Sequence, residues 1–92
     1  MHIRLMQVEL YFSEAQSLKQ KRTYLRRIES QLRKSENIAI SETGHNDKIK
    51  SAQLSIITIA SAAAAADSVI ENVRNFFQSQ NYILTGERVE AL

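Results

Sequence analysis

Apolar and polar residues alternate along residues 2–12 (HIRLMQVELYF), with Val8, Leu10 and Phe12 on one side and Gln7, Glu9 and Tyr11 on the other. A period of two predicts a half-buried strand. The period changes after Ser17: Leu18, Leu25, Ile28 and Leu32 recur on one helical face, which predicts an amphipathic helix with Ser17 as its N-cap. Residues 37–43 (NIAISET) predict a short second strand, Gly44-His45-Asn46-Asp47 a turn, and residues 51–60 a third strand. Across residues 62–80, Ala62, Ala66, Val69, Val73, Phe76 and Phe77 share a face opposite Asp67, Glu71, Arg74 and Gln78. That pattern predicts a second helix, with Ser61 as N-cap and an alanine run that lets its backbone pack closely on a sheet. Residues 82–92 predict a last strand.

The order is strand, helix, strand, strand, helix, strand. Two amphipathic helices bury their stripes most economically side by side on one face of a four-stranded sheet. With right-handed crossovers this predicts an α+β fold, a ferredoxin-like βαββαβ two-layer sandwich with antiparallel strand order 4-1-3-2. The other face of the sheet is left open. With no proline, two glycines and no low-complexity stretch, residues 1–92 read as a single domain.

Composition narrows the class. A hydrophobic content of 43% and a charged content of 24% suit one folded domain. The absence of cysteine excludes disulfides and thiolate metal sites. The longest apolar run, residues 54–66, is interrupted by Ser55, Thr58 and Ser61 and is too short to span a bilayer. Arg4, Gln7 and Glu9 break the apolar core that a signal peptide would need. A cytoplasmic protein without membrane contact is expected. Charge is lopsided: residues 1–34 hold eight basic and three acidic residues, and the remainder carries a net −3. Such asymmetry suits a polyanionic partner.

Ser17-Leu18-Lys19-Gln20-Lys21-Arg22, following a first strand that contains Val8-Glu9-Leu10, resembles the YlxP-like family of small bacterial proteins. The segment Ser41-Glu42-Thr43-Gly44-His45-Asn46-Asp47 is similar to that family's AEVGHQD-type element. Where family members often carry an aromatic residue and a Gln-Arg pair after the turn, this chain has Lys48-Ile49-Lys50-Ser51. The resemblance implies a ferredoxin-like fold in a family of unknown function, often encoded beside translation and ribosome-maturation factors.

The first helix carries the most informative chemistry. At 100° per residue, Lys19, Arg22, Arg26 and Arg33 fall within about 60° of one another, and Arg27 and Lys34 widen the stripe. Only Glu29 opposes them, so the face gives up the i,i+4 pairing that stabilises ordinary helix surfaces. A phosphate backbone would compensate it, which makes RNA or a ribosome a candidate partner. A solvated basic helix and an acidic protein partner are the competing readings. No aromatic platform of the RNP type accompanies the stripe, so it supports attraction to backbone rather than sequence reading. Lys21 projects near the apolar face between Ile28 and Leu32. Its stem is expected on the core edge with the ammonium reaching water; a specific anion site is the alternative.

No catalytic constellation emerges. His2 and His45 are far apart, no histidine pair has ligand spacing, and the glycines form no phosphate loop. Glu42, His45 and Asp47 read as a polar turn. The expectation is a non-enzymatic protein with no cofactor, no metal and no small-molecule substrate. Three apolar phase shifts remain: Ile3 and Leu5 are odd where Met6 to Phe12 are even, Ala52 to Ile56 give way to Ile57 and Ile59, and Tyr82 and Leu84 give way to Val89 and Ala91 across Gly86. In the expected sheet all three meet at one end. Aligned bulges could keep every apolar residue on the core side, with Gly86 a natural bulge site. Alternatively, Ile3, Leu5, Ile57, Ile59 and Val89 form an apolar patch on the open face, the reading favoured here. The second functional expectation follows from it: a homo-oligomeric interaction module using the open sheet face.

Overall fold

The computed structural model describes residues 1–92. Its elements are β1 (His2–Tyr11), α1 (Leu18–Ser35), β2 (Ala39–Gly44), β3 (Ser51–Ala60), α2 (Ala63–Gln78) and β4 (Ile83–Ala91). The four strands form one antiparallel sheet in the order β2-β3-β1-β4, which is the expected 4-1-3-2 order counted from the opposite edge. This is the α+β, ferredoxin-like architecture.

α1 begins where its sequence says it should. The Ser17 side chain accepts from the Gln20 N–H at 3.0 Å, and the Gln20 side chain reaches back to the Gln16 N–H at 2.7 Å. This is a capping-box arrangement whose return bond is displaced by one residue. Leu25, Ile28 and Leu32 face the sheet. α2 departs from expectation at its start. Ala62, not Ser61, is the N-cap, and no side chain caps the first turn. β3 runs to Ala60, so only two residues lead into the helix and the serine falls too early to face its N–H groups. The buried set of α2 is Ala66, Ile70, Val73 and Phe77, while Val69 and Phe76 flank it and Ala62 is exposed. Ile70 therefore belongs to the buried face. Of the alanine run only Ala66 packs fully; Ala64 and Ala65 face solvent.

Register settles the phase shifts. β1 and β3 pair without interruption from His2↔Ala60 to Tyr11↔Ser51. Even positions Met6, Val8 and Leu10 face the helices together with Ala52, Leu54 and Ile56. The same alternation continues to Thr58, buried with its hydroxyl donating to the Asn37 carbonyl at 2.7 Å. A buried hydroxyl needs such a partner, and with one it holds a core position that pattern reading assigns to an aliphatic. Arg4, on the helix side, ends in an ion pair with Asp67 of α2. Ile3, Leu5, Ile57 and Ile59 stay on the open face.

The bulges lie in the edge strands. Thr43 is the extra residue between Glu42↔Leu54 and Gly44↔Gln53, and Thr85 between Leu10↔Leu84 and Glu9↔Gly86. The second bulge shifts the phase of β4, so Leu84 and Val89 both face the helix side. Val89 stands opposite Met6, not beside Leu5, and the expectation that it joins the open-face patch is corrected.

Candidate nucleic-acid interface

α1 lies on the sheet with its basic stripe turned outward. Lys19, Arg22, Arg26, Arg27, Arg33 and Lys34 are all exposed. Arg33 is partly committed, donating to Glu29 at 3.2 Å and to the Ile40 carbonyl at 3.1 Å. The other five form no salt bridge. Arg33 and Lys34 sit in the last turn, where the helix dipole favours cations. Lys19 sits in the first turn, where the dipole opposes them and no acidic residue compensates. Local helix energetics therefore do not account for the whole stripe.

Lys21 corrects the sequence expectation most sharply. Its side chain is 1% exposed, and the ammonium does not reach water. Nζ donates to the carbonyls of His45 (2.9 Å), Lys48 (2.5 Å) and Ser51 (3.0 Å), and lies 2.9 Å from Glu42 Oε2. An ammonium has three protons, and three carbonyls take them. Glu42 thus supplies charge rather than a further hydrogen bond, which is why its Oε2 is close to Nζ yet has no hydrogen-bond partner. The anion that Lys21 meets belongs to the chain itself.

This contact joins the two segments that carried the family resemblance. In SLKQKR, Ser17 and Gln20 cap the helix, Lys21 locks the β2–β3 connection, and Lys19 and Arg22 face solvent. In the turn, Gly44 passes so close to Gln53 that an added Cβ would lie 2.0 Å from Gln53 Oε1. His45 takes a left-handed φ of 59°. Its carbonyl accepts from Lys21, and its Nε2 lies 2.9 Å from Glu9 Oε2 on the open face. The side chains of Glu42 and His45 therefore answer to different partners, Lys21 and Glu9, on opposite sides of the sheet, and Asp47 joins neither. No group of three or more His, Asp or Glu side chains converges in a metal-binding arrangement.

Two other features flank the stripe. A cleft of about 290 Å³ opens between α1 and the α2–β4 connection, walled by Phe12, Tyr24, Arg27, Gln31, Gln80 and Tyr82. Phe12 packs edge-on against Tyr82, with ring centroids 5.1 Å apart. The Tyr82 hydroxyl is buried without a partner, and burial pushes its phenol well above the usual tyrosine range. Nothing in the sequence signals that orphan, because neighbouring elements close over it. On the open face, Ile3 stands opposite Ile59 and Leu5 opposite Ile57, with Ile57 39% and Ile59 50% exposed. The patch expected from the sequence exists there without Val89. No helix is long and apolar enough to cross a membrane.

Residues 3–87 match the family described as "Protein of unknown function (DUF503)". No curated protein matches the chain. Among solved structures it is similar to the "De novo designed protein Foldit4", with a TM-score of 0.53 at 9% identity, covering 99% of this chain and 94% of that one. It is also similar to the "De novo designed protein Ferredog-Diesel", with a TM-score of 0.51 at 12% identity, covering 98% and 84%. At such identities the likeness speaks to the fold alone.

Proposed function

This chain belongs to the DUF503 family, and from that premise we propose that it is a non-enzymatic, RNA-associated accessory protein that holds phosphate backbone along the outer face of α1. One observation carries the reading: Lys19, Arg22, Arg26, Arg27 and Lys34 are exposed on one helix with no acidic partner. Five unneutralised cations on a single rigid element repel one another, and a run of phosphates relieves that repulsion while releasing condensed counterions. The YlxP-like resemblance, with its frequent gene neighbours among ribosome-maturation factors, makes ribosomal RNA or a ribosomal subunit the natural target. The stripe carries no base-reading platform, so binding is to RNA shape and backbone.

The test is the salt dependence of binding to structured ribosomal RNA. Affinity falls steeply as salt rises. Replacing all five cations by glutamine reduces the slope of log K against log salt by about 4, since each phosphate contact contributes close to one unit. Lys48→Gln, off the stripe, leaves the slope nearly unchanged. Binding that is absent, or insensitive to salt, leaves α1 as a solvated face and ends this reading.

A second reading rests on the open face. Ile3, Leu5, Ile57 and Ile59 make a contiguous aliphatic patch where the sheet lacks a covering layer. This supports a homo-oligomeric interaction module.

A further inference from the structure

A different surface carries a self-complementary pattern. β4 is an edge strand. Leu92 donates its N–H to the Ile3 carbonyl at 3.0 Å, while Glu90, Arg88 and Gly86 stand opposite Leu5, Gln7 and Glu9. Antiparallel ladders alternate, so these residues turn their backbone groups toward β1, whereas Glu87, Val89 and Ala91 turn theirs outward. Val89 is 38% exposed beside those unpaired groups. Proteins usually block such an edge with proline, inward charge or lysine. β4 has no proline and no lysine, its one helix-side charge, Glu87, is paired with Arg74 of α2, and its one bulge, at Thr85, leaves the strand beyond it regular.

The geometry points to this edge as a two-fold interface on which a second copy of the chain pairs antiparallel to β4, Val89 opposite the partner's Val89. Charge selects that register. Arg88 and Glu90 pair with each other within one chain at 3.0 Å, and centring on Val89 sets Arg88 against the partner's Glu90 and Glu90 against the partner's Arg88 as well, closing a four-charge cluster on the open face. The same register sets Val89 on Val89 along the helix side, and Glu87, already held by Arg74 at 2.6 Å, opposite the partner's Ala91. Centring on Arg88 places like charges directly opposite, and so does centring on Glu87 or on Glu90; such pairs destabilise a ladder. Centring on Gly86 runs the pairing through the bulge. Centring between residues sets the open face of one copy against the helix face of the other. In the Val89 register every outward N–H and C=O from Glu87 to Ala91 gains a partner. The two-fold axis runs perpendicular to the joined sheet, so both helix layers fall on the same side.

The experiment uses the full chain and reads its mass by sedimentation at high-micromolar concentration, with circular dichroism as the check on folding. The wild type is expected to sediment as a dimer. Val89→Pro removes an outward N–H that β1 does not use, so the fold survives and the dimer is lost. Arg88→Glu sets glutamate against the partner's Glu90 and weakens association about tenfold. The exchange Arg88→Glu with Glu90→Arg restores opposite charges and recovers it. Because the chain has no cysteine, Val89→Cys provides a single thiol that links two copies on oxidation, whereas Ile83→Cys does not. A monomeric wild type overturns the proposal. So does a dimer indifferent to Val89→Pro and Arg88→Glu, and one dissolved by Ile57→Asp instead places the contact on the open face.

Discussion

Lys21 is the only charged residue buried in the molecule. A buried ammonium is tolerated because three carbonyls and a carboxylate replace its water, and removing it strands all four. Lys21→Met is therefore expected to cost about 3 kcal/mol in urea unfolding, since the remaining Glu42 charge is then unpaired. The double variant Lys21→Met with Glu42→Leu recovers part of that loss. Lys21→Arg does not rescue, because a planar guanidinium cannot direct its donors to three carbonyls arranged around a tetrahedral nitrogen. A loss below about 0.5 kcal/mol for Lys21→Met, the range of an ordinary surface change, would show that the ammonium is not held. Tyr82 is the converse case, a buried hydroxyl with no partner. Deleting it as Tyr82→Phe is expected to stabilise the fold by about 1 kcal/mol, the usual penalty of an unsatisfied group. The phenol's value is raised in the folded state, so its contribution is intact below the ordinary tyrosine value near 10 and is lost as pH rises beyond it. Alkaline titration of stability should show that loss in the wild type and a smaller one in Tyr82→Phe.

At the scale of elements, the two helices differ in how they begin. α1 has a side-chain cap and α2 has none. Ser17→Ala is expected to cost about 1 kcal/mol, while Ala62→Ser, at a residue already in the extended N-cap conformation, gains about 0.5–1 kcal/mol. Thermal unfolding of the two variants checks both signs, and a destabilising Ala62→Ser would mean that the start of α2 is closed to a capping hydroxyl. The cap of α1 was legible because it depends on residues adjacent in sequence. The start of α2 was not, because the length of β3 decides where the helix can begin. The bulge in β4 was visible as a shift of apolar phase across Gly86, but its effect on Val89 depends on Glu9 and Leu10 of another strand.

At the scale of the whole molecule, one face of the sheet is covered by helices and the other is bare. The second functional reading makes Ile57→Asp and Leu5→Asp informative: if the open face joins copies, each lowers the sedimenting mass while circular dichroism stays unchanged. A fully assembled Ile57→Asp variant would remove the patch from consideration. The basic stripe lies on the opposite layer, so these variants leave salt-dependent RNA binding intact. That separation lets the two readings fail independently.

Periodicity is a property of near neighbours, and it was enough to determine the six elements, their order, and the apolar face and outward cations of α1. Right-handed crossovers and the need to bury two helical stripes then leave one sheet order. Tertiary structure decided what depends on residues distant in sequence being brought together. The acceptors of Lys21 lie 24, 27 and 30 residues away, so whether its ammonium meets water or carbonyls is set only when β2 and β3 close over α1. Val89 changes faces because one extra residue in an edge strand shifts the pairing beyond it. Thr58 holds a core position because the Asn37 carbonyl comes within reach. In each case the side chain's own preference is outweighed by a hydrogen bond or a register whose other half lies elsewhere in the chain.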